Sequence, residues 1–285
     1  MMLSIKLVRE VLREAKYLPH HAYKVTQGRL KNGVYPHQKH AFGQHKKQYL
    51  CWFEPKKVTK KHLIIFYHGG GWTFGKPEVF SDRAKLFAEA GYQVVMPAHR
   101  KLPFNSYQEI REDLILTLKK VYEIMQTKGI LDKKIILGGM SSGGNLAALL
   151  FLDHSLLENT GFSTTHFVSA FLCGAPVSLA DMTDSFLLTN YAGKRKHLNF
   201  KKASPIHFLP PSFSKRLLVV HGTADGLVNY QGTANFVKQL NKVSEVPIDF
   251  YTIPNGSHLK AVSWAYENNE VRQKILSWLA HQEKL

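Results

Sequence analysis

The stretch Ile135-Ile136-Leu137-Gly138-Gly139-Met140-Ser141-Ser142-Gly143-Gly144-Asn145 decides how the rest of the chain is read. Its apolar, β-branched opening predicts a buried strand over 134–137, and the apolar run after it predicts a helix over 143–153. Gly139 and Gly143 stand two residues before and two after Ser141. A strand that turns at once into a helix brings the two backbones too close for a β-carbon, so glycine is needed at both positions and the serine sits at the apex. Ser142 has Met140 two residues before it, which makes Ser141 the candidate nucleophile and leaves Ser142 to offer its backbone N–H.

Upstream, His68-Gly69-Gly70-Gly71-Trp72 follows the predicted strand 62–67. Three glycines there leave backbone N–H groups bare and free to point at developing negative charge, as an oxyanion hole requires. A phosphate loop would continue into Lys-Ser/Thr or complete Gly-x-Gly-x-x-Gly, and neither occurs here. Downstream, an acid and a histidine are expected in that order, each past a late strand. Asp225 lies in His221-Gly222-Thr223-Ala224-Asp225 after the predicted strand 216–220, and His258 in Asn255-Gly256-Ser257-His258 after 248–253. Two other candidates are weaker: Asp249 falls inside a predicted strand, and His281 ends the last predicted helix with no strand before it.

Further predicted strands cover 48–53, 93–96 and 166–173, and further predicted helices 79–90, 108–126, 230–243 and 261–280. Strand and helix in alternation predict an α/β class fold, a mostly parallel central sheet with helices on both faces and the site at the carboxyl ends of the strands. The polar, aromatic stretch 181–202 interrupts the alternation and reads as a small inserted cap segment over the site. Residues 46–285 therefore form the catalytic unit, and 1–45 an N-terminal extension. In that extension Leu7, Val8, Val11, Leu12 and Ala15 predict one face of an amphipathic helix over 3–17. Five histidines between His20 and His45 have no regular spacing and no Cys or acid among them, which argues against a metal site.

Hydrophobic residues make up 44% of 285, enough to bury one large core. Lys and Arg number 38 against 21 Asp and Glu, a net charge of +17. The basic residues fall in short pairs along the whole chain, such as Lys46-Lys47, Lys119-Lys120 and Lys201-Lys202, with no nucleic-acid-binding motif beside them. They read as a solvated basic surface, with no nucleic-acid partner. Cys51 and Cys173 sit inside apolar runs and read as buried free thiols. Without a continuous apolar stretch for a signal peptide or a membrane span, a cytoplasmic location is expected. Oligomeric state stays open.

These motifs resemble the hormone-sensitive-lipase-like and acetyl-esterase branch of the α/β-hydrolases, from about Gln48 to the C-terminus. The stretch Ala98-His99-Arg100-Lys101-Leu102-Pro103-Phe104 is similar to that branch's Tyr-Arg-Leu-Ala-Pro, shortened. The resemblance implies a serine esterase with Ser141, Asp225 and His258 as triad, Gly70, Gly71 and Ser142 as oxyanion hole, and no cofactor or metal. Met140 stands where the branch has Asp and Ser142 where it has Ala, departures that point to a small-esterase subgroup. Trp72, Phe74, Phe186 and Tyr191 are expected to bind substrate at a crowded entrance, together with the charges of 194–196. A short pocket for acetyl to butyryl esters follows. An amidase, formamidase or peptidase on the same triad is the alternative within hydrolases, and a non-catalytic ligand-binding protein the alternative outside them.

Overall fold

The structure, a computed structural model, describes residues 33–266 and 269–284, together with Val8, Leu12, Glu14, Ala15 and Tyr23. Eight strands form one sheet among the described residues: β1 (Gln38–Ala41), β2 (Tyr49–Phe53), β3 (Leu63–Tyr67), β4 (Gln93–Pro97), β5 (Ile135–Met140), β6 (Phe167–Cys173), β7 (Arg216–Gly222) and β8 (Asp249–Ile253). Their spatial order is β1-β2-β4-β3-β5-β6-β7-β8. The pairs β1/β2 and β2/β4 are antiparallel, and every later pair is parallel. Parallel strands buried on both faces read as continuous apolar runs, which is how Leu-Ile-Ile-Phe-Tyr of β3 reads.

Helices α1 (Ser81–Glu89), α2 (Tyr107–Thr127), α3 (Ser142–Leu152), α4 (Phe186–Ala192), α5 (Leu198–Lys202), α6 (Tyr230–Asn241), α7 (His258–Val262) and α8 (Glu270–Gln282) complete the described elements, apart from short 3-10 turns. Successive strand residues face opposite sides. Leu63, Ile65 and Tyr67 of β3 pack with residues of α2, α3 and α6, while Ile64 and Phe66 pack with residues of α1 and α8. Every residue of α3 is buried, so that helix turns no face to solvent and is held mainly by packing. Helix α2 begins instead at a reciprocal cap between Ser106 and Glu109.

The seven expected strands are all present, and the α/β-hydrolase class holds. Two expectations need correction. First, β1 lies inside the stretch assigned to the N-terminal extension, so a boundary at residue 45 cuts through the sheet. Second, the helix expected over 261–280 is two: α7 starts at His258, and α8 starts afresh where the Asn269 side chain accepts from Arg272 N at 3.1 Å. The segment 181–202 contains α4, capped by Ser185, and α5. Of the helix expected over 3–17, Val8, Leu12, Glu14 and Ala15 are helical; Leu7 and Val11 lie outside the described residues, as does most of 16–32.

Candidate active site

Strand β5 ends at Met140 and α3 starts at Ser142, so Ser141 occupies the single residue between them. Its backbone takes φ 51° and ψ −130°, a conformation that L-residues avoid and that surrounding structure must hold in place. One such tie is the Ser141 N–H, which donates to Cys173 O at 2.8 Å. A β-carbon on Gly139 would strike the Gly143 carbonyl, and one on Gly143 would strike the carbonyls of Tyr67 and His68. The two glycines are therefore demanded by the close approach of β3, β5 and α3, as the spacing predicts.

The structure brings Ser141, His258 and Asp225 together. Ser141 Oγ lies 2.9 Å from His258 Nε2, and His258 Nδ1 lies 2.7 Å from Asp225 Oδ2. The carboxylate can only accept, so Nδ1 carries the imidazole proton and Nε2 presents its lone pair to the serine. Asp225 Oδ1 accepts from Leu227 N at 2.9 Å and Val228 N at 2.8 Å, and Oδ2 also faces His221 Nε2 at 3.2 Å. Burial alone would raise the Asp225 pKa, but the His258 charge and the hydrogen bonds from His221 and His258 hold it well below the usual carboxylate range. For His258 burial pulls downward, and the Asp225 carboxylate with a smaller push from Glu14 outweighs it, leaving the imidazole above its ordinary value.

Gly70 and Gly71 follow β3, the strand next to β5, and take φ 130° and 57°. A β-carbon at Gly70 would strike the Phe74 carbonyl. Among the described residues, no acceptor takes the backbone N–H of Gly70, Gly71 or Ser142. The four residues expected at the entrance divide. Phe74 and Phe186 are exposed. Trp72 and Tyr191 are instead buried, their rings stacked 4.0 Å apart, and this corrects the expectation that they crowd an open mouth. Tyr191 is drawn inward because its hydroxyl donates to Asn145 Oδ1 at 2.7 Å, while the Asn145 amide donates to Pro176 O and Ala203 O, both at 3.0 Å. Asn145 thus ties the segment 181–202 to the helix that starts at the serine. Asp249, the weaker acid candidate, accepts from Trp278 Nε1 at 2.8 Å, away from this cluster.

Two residues of the site escape sequence reasoning. His221 carries no signal of its own inside a β-strand ending. Glu14 belongs to a charged and apolar alternation that reads as a helix's polar face, yet it is buried, and its Oε1 accepts from both His258 N and Gly226 N at 2.9 Å. One carboxylate oxygen thus bridges the loop of the acid and the loop of the histidine.

As for metals, His37, Cys51 and Glu78 could each offer a ligand atom, all within 4.8 Å of one another. Their surroundings oppose a cation: Lys39 lies 3.6 Å from Glu78, the Tyr49 hydroxyl donates to Glu78 at 2.8 Å, and burial pushes the Cys51 thiol up to about 12. Cys51 and Cys173 are both buried and unpaired. No helix among the described residues is long and apolar enough to cross a membrane.

The chain is 26% identical over 238 residues to the probable dipeptidyl-aminopeptidase B of Arthroderma otae, covering 78% of this chain and 24% of that protein. It is 32% identical over 100 residues to the carboxylic ester hydrolase LipN of Mycobacterium tuberculosis, covering 34% of this chain and 27% of that protein. It thus spans about a quarter of the length of these relatives. In three dimensions it superposes on a truncated form of a carbohydrate esterase from gut microbiota with a TM-score of 0.74 at 18% identity, covering 89% of this chain and 99% of that one, which establishes the fold. Residues 51–240, well over half of the chain, match the model of the BD-FAE family. With the sheet order, the turn at Ser141 and that match in hand, the chain belongs to the BD-FAE family, of α/β-hydrolase type.

Proposed function

We propose that this protein hydrolyses carboxylic esters with short acyl chains, through an acyl-enzyme formed on Ser141. The observation that carries the reading is the chain of contacts from Ser141 Oγ to His258 Nε2 at 2.9 Å and from His258 Nδ1 to Asp225 Oδ2 at 2.7 Å. His258 takes the serine proton as Oγ attacks the acyl carbon, and then gives it to the departing alkoxide. Asp225 keeps the tautomer and stabilises the imidazolium. The oxyanion of the tetrahedral intermediate is met by the N–H groups of Gly70, Gly71 and Ser142; losing one such donor costs on the order of 2.7–4 kcal/mol of transition-state stabilisation. Water activated by His258 releases the acid. No cofactor or metal takes part in this route, and the two buried thiols support a reducing, cytoplasmic setting.

Hydrolysis of aryl esters is expected to be best from acetyl to butyryl and to decline beyond about hexanoyl. A long dry groove would do the opposite, since each buried methylene contributes about 0.8 kcal/mol. Measuring kcat/KM along the acyl series tests this, and a rise continuing to decanoyl esters overturns the short-pocket reading. Ser141→Ala is expected to lower turnover by about 10⁶, whereas Ser142→Ala stays active because only its backbone takes part. The reverse ranking would refute the assignment of the nucleophile. An amide-cleaving reading is favoured by one observation: the relatives named dipeptidyl-aminopeptidase align along most of this chain. Comparing an ester with its matching amide separates the two.

A further inference from the structure

The loop between β4 and α2 carries a lysine that the chemistry at Ser141 does not use. Lys101 Nζ lies 2.9 Å from His99 Nε2 and 3.5 Å from His68 Nε2. Both imidazoles are buried and stack on each other, with centroids 5.6 Å apart. His68 Nδ1 faces Gly69 O at 2.6 Å, and His99 Nδ1 faces Arg100 O at 2.7 Å. Carbonyl oxygens only accept, so each Nδ1 bears the proton and each Nε2 turns a lone pair to the lysine. Burial first and the Lys101 charge next keep both rings from taking a second proton, well below the ordinary histidine range. An ammonium has three N–H groups. Two are taken up by His99 and His68, and the third is left for the cavity that Lys101 helps to line.

That cavity has a volume of about 560 Å³. His45, Lys46, Lys47 and Lys76 also line it, and none of its described lining residues is acidic. Phe74 and Leu102 add an apolar wall. Gathering like charges around one partly buried amine is unfavourable. Burial, with Lys47 second, pulls Lys101 down to about 7, and the charge acting the other way is Asp113, which is itself paired with Arg100 at 2.9 Å. A site that assembles cations at this cost, and turns a free N–H into a cavity with no acid of its own, is built for an anion from outside.

We propose that this cavity binds a small organic molecule through a carboxylate or phosphate group seated on Lys101, with Lys47 and Lys76 beside it and the carbon part against Phe74 and Leu102. The anion has two possible sources, a free ligand or the acidic end of the substrate, because the Thr73–Gly75 wall of the cavity continues from Gly70 and Gly71. Binding does not rest on the esterase reading, since it is measured without turnover.

Sulfate, which keeps its charge across the range, is titrated by calorimetry into the full chain near pH 6 and near pH 8, in buffers of different ionisation enthalpy. Saturable binding is expected, several-fold tighter at the lower pH. Near pH 8 it should take up a proton, because an anion beside Lys101 raises its pKa. Lys101→Met should weaken binding at least about tenfold. Lys47→Met touches neither imidazole and should weaken it several-fold, which keeps the test decisive if the first variant folds poorly. Lys238→Met, on the exposed face of α6, should change nothing. No saturable binding, or equal affinity in native protein and the Lys101 and Lys47 variants, overturns the proposal. A second arm compares kcat/KM for a hemisuccinate and a butyrate aryl ester. A preference for the hemisuccinate that Lys101→Met and added sulfate both abolish marks the anion as part of the substrate; sulfate binding with no such preference marks it as a separate ligand.

Discussion

Glu14 is the residue whose role is least expected from its neighbours in sequence. Its Oε1 takes one N–H from His258 and one from Gly226, so its hydrogen bonds hold the two loops in register and its charge acts on the imidazole. These two effects separate by substitution. Glu14→Gln keeps an oxygen to accept but removes the charge, so the imidazolium loses support and the His258 pKa falls. In the proposed mechanism the neutral imidazole is the active form, so the acid limb of the kcat/KM profile is expected to move to lower pH in this variant. Glu14→Leu removes the shared acceptor and leaves two buried N–H groups unpaired, at a cost of about 1–3 kcal/mol each that chemical denaturation would detect. An unshifted acid limb in Glu14→Gln would limit this residue to its two hydrogen bonds. The linkage of Asp225 to stability has the opposite sense: its depressed pKa contributes stability above the unfolded carboxylate pKa, and that contribution is lost as pH falls through the folded value.

At the scale of elements, strands with buried surfaces announce themselves and β1 does not. Gln38-Lys39-His40-Ala41 has no apolar alternation and is mostly exposed, because it is an edge strand held by pairing with β2 rather than by burial. The segment 181–202 was equally opaque in its attachment, since Asn145 reads as one polar residue in an apolar helix. Only in the fold does its side chain meet Tyr191, Pro176 and Ala203 at once. Tyr191→Phe leaves Asn145 Oδ1 buried without its donor. It is expected to cost about 1–3 kcal/mol in unfolding free energy and to raise KM more than it lowers kcat, because the segment shifts while the serine turn stays in place. Unchanged stability and KM would mean that Asn145 finds another donor and that α4 does not depend on this bond.

For the whole molecule, the +17 charge sets a long-range field that favours anionic ligands and is screened within about 10 Å at 0.1 M salt. The rate constant kcat/KM for a hemisuccinate ester should therefore fall several-fold as salt rises toward 1 M, while that for the neutral butyrate ester stays level. A parallel fall for both would trace the effect to the enzyme's stability rather than to steering. The sequence by itself determined the turn at Ser141, the glycines after β3, the order of serine, acid and histidine, and the α/β alternation. Each of these leaves a local pattern in the chain: a glycine spacing where backbones approach too closely for a β-carbon, a period of burial, a position just past a strand. The tertiary structure alone decided that Glu14 reaches His258 across 244 residues, and that lysines at 46, 47, 76 and 101 line one cavity. Such meetings leave no local trace, because they arise from which strand ends the sheet order sets side by side, and a charged residue reads the same in sequence whether solvent or a buried N–H awaits it.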